Sequence, residues 1–76
     1  MTHEQRVEWV RKELDGVEQK SGGEIKFPVD EDLGDMHVFG GARNEALVVT
    51  ESGKLLRGNL QDVVAGDLSK ATEIQP

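Results

Sequence analysis

At Ser21-Gly22-Gly23 the apolar rhythm of this chain changes from steps of three and four residues to steps of two, which restricts the fold to a helix followed by a sheet. Before the break, Val7, Val10, Leu14 and Val17 fall within a stripe about 80° wide at about 100° per residue, so one side of a helix is built for burial. Thr2 stands three residues before Gln5, the spacing of a capping box, and Glu4 suits the positive end of the helix dipole. Lys20 lies in the last turn and the glycines can take the positive φ that closes a helix. The spacing predicts a helix over residues 3–20.

After the break, Ile25, Phe27 and Val29 alternate with Glu24, Lys26 and Pro28, the pattern of a strand over 24–29 that Pro28 confines to a sheet edge or end. Residues 30–35 hold four acids and Gly34 and read as a turn. Residues 36–39 read as a second strand, 40–44 as a loop and 45–50 as a third strand. Glu51-Ser52-Gly53 suits a hairpin leading to a fourth strand over 54–58. In the last segment Leu60, Val63, Val64, Leu68, Ala71 and Ile74 recur at helical spacing behind Asn59, a good N-cap residue. Gly66 would cost about 1 kcal/mol inside such a helix, so a strand and turn around Val63-Val64 and Gly66-Asp67 compete with it. The reading is a single α+β domain over residues 1–76. It has an N-terminal helix, a four-stranded antiparallel meander and a C-terminal helix on the same sheet face as the first. The alternative is the N-terminal helix packed outside a small five-stranded β-barrel.

Three aromatic residues, Trp9, Phe27 and Phe39, and no cysteine mean a small aliphatic core without disulfides or thiolate metal sites. The longest apolar run is four residues, Ala46 to Val49, against roughly 20 for a membrane helix, and a soluble, cytoplasmic protein is expected. The net charge is −6, and residues 1–35 carry ten acids against five bases. A field of that sign repels phosphate backbones and anionic lipid heads, so neither direct nucleic-acid binding nor membrane association is expected.

The string LVVTESGKLLRGNLQDVV, residues 47–64, resembles the closing hairpin and helix of a CBS domain, and its Gly53 and Gly58 spacing resembles the first motif of Sm-like barrels. It covers under a quarter of the chain without the remaining pattern of either family, so neither is assigned and no binding residue is carried over.

His37 with Asp32 and Asp35 offers nitrogen and oxygen donors, but the run lacks calcium-loop spacing and paired histidines at helical spacing, so no metal or cofactor is expected. Ser21, Ser52 and Ser69 stand beside turn or helix-end signals, where serine serves the backbone, and a core this small offers no deep pocket. An enzyme is not expected. Gly40, Gly41 and Arg43 form a candidate anion loop, because adjacent glycine amides can converge on an anion that Arg43 clamps. Trp9 falls about 80° or more outside the core stripe, where an indole can widen the core or anchor a partner. The expected function is a regulatory or accessory protein-binding module that docks another protein, or a second copy of itself, through Trp9, Glu8, Glu13 and Arg6. The competing expectation is an acidic decoy whose Asp30, Glu31, Asp32 and Asp35 imitate phosphates in the basic groove of a nucleic-acid-binding protein. A weak anion or metal binder is the third.

Overall fold

The computed structural model describes residues 1–75. The chain runs through α1 (His3–Lys20), β1 (Val29–Asp32), β2 (Met36–Gly40), a 3-10 turn (Ala42–Asn44), β3 (Glu45–Thr50), β4 (Leu55–Asn59), α2 (Leu60–Val64) and β5 (Thr72–Glu73). It is an α+β fold in which the five strands form one antiparallel sheet in chain order, an open meander with β1 and β5 at its edges.

Local chemistry sets α1. The Thr2 hydroxyl accepts from the Gln5 amide and the Gln5 side chain accepts from the Thr2 amide, closing the capping box. Val7 and Val10 are buried and Leu14 is half-buried against the same core. Val17, the fourth member of the stripe, is 41% exposed. Eighteen helical residues span about 27 Å, whereas six strand residues span about 20 Å. The last turns of the helix therefore run past the sheet.

Of the strand expected at 24–29 only Val29 is in β1, which runs on through Asp32 into the expected acidic turn. The alternation at Ile25 and Phe27 misled because these residues have other partners for their amides: Ser21 Oγ accepts from Ile25 N and Glu18 Oε1 accepts from Phe27 N. β1 is an edge strand with alternating sides, and its acids tolerate pairing because they lie beside solvent or a cation. Pro28, which has no N–H, stands just before the ladder.

The C-terminal helix is short. Asn59 Oδ1 caps it by accepting from the Gln61 and Asp62 amides, and Gly66 at φ +84° ends it. The chain then returns as β5, pairing Glu73 with Leu56 and Thr72 with Arg57. The helical spacing beyond Val64 does not form a helix, and the sheet has five strands rather than four but does not close into a barrel.

The two helices do not share a sheet face. Register places His37, Phe39, Leu47, Val49, Leu55 and Arg57 on one face, and Met36, Val38, Ala46, Val48, Leu56 and Gly58 on the other. Val7, Val10 and Leu14 of α1 pack with Phe39, Val49 and Leu55, whereas Val63 and Leu60 of α2 pack with Met36, Val38, Ala46 and Val48. The sheet is thus sandwiched, and every residue of β2 is buried.

Candidate functional site

α1 starts against the β3–β4 hairpin, where His3 Nδ1 donates to Thr50 O at 2.7 Å and Arg6 Nε donates to Gly53 O at 3.4 Å. His3 therefore anchors the start of α1 to the hairpin. With Arg6 held there, its guanidinium carbon lies 5.3 Å from the centre of the Trp9 ring, within cation–π range. Trp9 is partly buried and packs against the core under α1, so the indole both flanks the core and reaches the surface. Beside it an open shelf is lined by Met1, Glu4, Gln5, Glu8, Trp9 and Lys12, its exposed surface mostly apolar. Met1 is 64% exposed there. Glu13, one turn beyond Trp9, is exposed. Glu8 turns toward Arg11 and forms an exposed ion pair with it. The structure thus brings Trp9 and Arg6 into contact and sets Glu8 on the flank that faces β1.

On that flank three elements meet in a network that the sequence reading missed. Asp30 of β1 accepts two hydrogen bonds from Arg11 of α1, from Nε at 2.8 Å and Nη2 at 2.9 Å, and a third from His37 Nε2 of β2 at 2.5 Å. His37 is buried, its ring centre 4.7 Å from that of Phe39, and Arg11 lies over the same Phe39 ring at 5.9 Å. Hydrogen bonding by Arg11 is the main reason that the Asp30 carboxyl is lowered to about 2; the bond from His37 adds to the effect and partial burial opposes it. The guanidinium of Arg11 is raised by the same bond. Alternation across a strand is the signal that would have found this network: in VDED, Asp30 and Asp32 share the α1 side and Glu31 the other. Asp32 and His37 also line a polar cleft with His3, Glu4 and Glu8. Among the described residues no three His, Asp or Glu side chains are placed to hold one metal ion.

The glycines of the candidate anion loop serve close packing. A Cβ on Gly40 would lie 2.9 Å from Leu60 Cδ1, and one on Gly41 would lie 2.3 Å from Lys26 O. The absence of side chains lets α2 and the 24–28 segment cross the end of β2. Arg43 and Asn44 follow in the left-handed region, at φ +63° and +59°. Arg43 joins Arg57, Asn59 and Thr72 around a polar depression, away from the shelf beside Trp9. The three serines occupy turns: Ser21 Oγ donates to Glu18 O, Ser69 Oγ to Asp67, and Ser52 shares a hydrogen bond with Thr50.

Compared with known proteins, the chain matches no family model, no curated protein and no solved structure. Among the described residues, no helix is long and apolar enough to cross a membrane.

Proposed function

We propose that this chain is a small, non-catalytic protein-binding module of the cytoplasm, regulatory or accessory, that docks a partner protein through the outer side of α1. The observation that carries the reading is Trp9: its indole is half-buried, braced by Arg6 and bordered by an open apolar shelf that includes the exposed Met1. An aromatic ring already held in place gives up little conformational freedom on binding, and tryptophan beside arginine is a composition enriched at binding hot spots. Glu13 and Glu8 supply a charged rim, which tunes encounter rate and partner choice more than affinity.

The decoy reading draws less support. Alternation along β1 sends Asp30 and Asp32 to one side and Glu31 to the other, and Asp30 is already neutralised by Arg11. A phosphate mimic needs its acids on one continuous, unpaired face.

The test is parallel capture from a host lysate with wild type and Trp9→Ala, followed by purified binding measurements on each protein that the wild type retains. The reading expects a partner, or a second copy of the chain, that Trp9→Ala loses and that tolerates added salt. Binding abolished by neutralising Asp30, Glu31 and Asp32, or falling steeply with salt, would favour the decoy instead.

A further inference from the structure

The sheet face beneath α1 is not covered along its whole length. Phe39 and Leu47 floor a groove of about 310 Å³, Phe27 and Ile74 wall it, and Glu45, Ala46 and Arg57 complete its lining. Arg57 Nη2 donates to Glu45 Oε1 at 2.9 Å, and the two side chains are 58% and 56% exposed, which places the pair at the mouth. Arg57 also borders the neighbouring polar depression, together with Arg43, Asn44, Asn59 and Thr72. In a chain of net charge −6, this mouth is a local exception, with two arginines against one glutamate.

We propose that this groove binds a small amphiphile with an apolar body and a single carboxylate, the body lying on Phe39 and Leu47 and the head group meeting Arg57 and Arg43. An apolar trough at the small end of ligand-site volumes takes an apolar body of modest size. A guanidinium fork suits a carboxylate, to which it can donate two parallel hydrogen bonds. An ion pair this exposed contributes little to the fold, so Glu45 can be exchanged for a ligand carboxylate at small cost. The groove borders Phe27, Leu47 and Ile74 and shares no lining residue with the shelf beside Trp9, so the site is independent of the docking surface.

The experiment is an NMR titration of the whole chain with octanoate and, separately, with 1-octanol, its neutral counterpart, following the methyl signals of Leu47 and Ile74. Octanoate should shift these signals saturably, and 1-octanol should bind about tenfold more weakly or worse, because it lacks the charge. Arg57→Ala should weaken octanoate about tenfold and leave 1-octanol unchanged. Arg43→Gly, which keeps the left-handed backbone, should weaken octanoate by a smaller factor. Glu45→Gln releases Arg57 from its partner and should tighten octanoate severalfold, a gain that a damaged fold would not give. The proposal is overturned if octanoate leaves Leu47 and Ile74 unmoved, if 1-octanol binds as tightly, if Arg57→Ala retains full octanoate affinity, or if Glu45→Gln fails to raise it.

Discussion

The two faces of the sheet are built from alternate residues of the same strands, yet they hold different chemistry. The face under α2 is aliphatic: Met36, Val38, Ala46 and Val48 meet Val63, with Leu60 and Leu68 at the margin. The face under α1 mixes Phe39, Val49 and Leu55 with His37, and the Asp30–Arg11 clamp and the Arg57–Glu45 pair lie along its borders. The five-residue α2, with Leu68 and Ala71 of the segment that follows, covers the first face, where nothing polar needs a partner. The second is covered by the first turns of α1, from His3 to Leu14, which also supply Arg11 for Asp30, His3 and Arg6 for the hairpin carbonyls, and Trp9 at the surface. Alternation thus separates an aliphatic face from one that also carries charged and hydrogen-bonding groups.

Removing the largest side chain from the α1 face should have the greatest effect. Phe39→Ala is expected to cost about 3–5 kcal/mol, because the ring is buried and supports both His37 and Arg11. In a domain this small that approaches the whole stability. Urea unfolding followed by the fluorescence of Trp9, the chain's only tryptophan, measures it; a cost below about 1 kcal/mol would mean that the face is not a core.

Val48→Ala on the opposite face should cost less, about 2 kcal/mol for two methyl groups and the small cavity they leave. This loss should be the same at every pH at which the protein is folded, since no titrating group shares that cluster. A pH-dependent loss would break the contrast between the faces.

The α1 face, by comparison, should carry an acid-sensitive component. The Asp30 carboxyl is lowered from 3.8 to about 2 in the fold, so its stabilisation is complete above about pH 4 and is lost as pH falls toward 2. Because the carboxylate is 37% exposed, solvent screening reduces this contribution to about 1 kcal/mol. Asp30→Asn should lower the neutral-pH stability by that amount and flatten the change between pH 4 and 2. An unaltered acid limb in the variant would show that the clamp contributes nothing.

How much of this was legible depends on where each partner lies in the chain. The ends of α1 could be read because the capping box joins residues three apart, and β3 because its apolar run, Ala46 to Val49, is bounded by Glu45 and by the turn residues Glu51-Ser52-Gly53. β1 could not, because its strand character comes from pairing with β2 and from Arg11, nineteen residues away. The end of α2 was only half legible: Gly66 counted against a longer helix, but the apolar spacing that runs on to Ile74 favoured one, and the left-handed Gly66 decided it. At the site, helical-wheel arithmetic placed Trp9 outside the stripe, and the structure sets it at the border of the core. The same arithmetic could not bring Arg6 to the hairpin or join His37 to Asp30, since those contacts depend on how α1 lies across the sheet.

The docking assignment rests on Trp9 being dispensable for folding and indispensable for binding, and one variant reads both. Trp9→Ala should keep the far-ultraviolet dichroism of wild type and lose no more than about 1 kcal/mol in urea, since the indole is only partly buried. Its affinity for the partner retained by wild type should fall by about 2 kcal/mol or more, roughly thirtyfold. A Trp9→Ala variant that unfolds would place the indole in the core, and one that binds that partner as tightly as wild type would remove α1 from the interface.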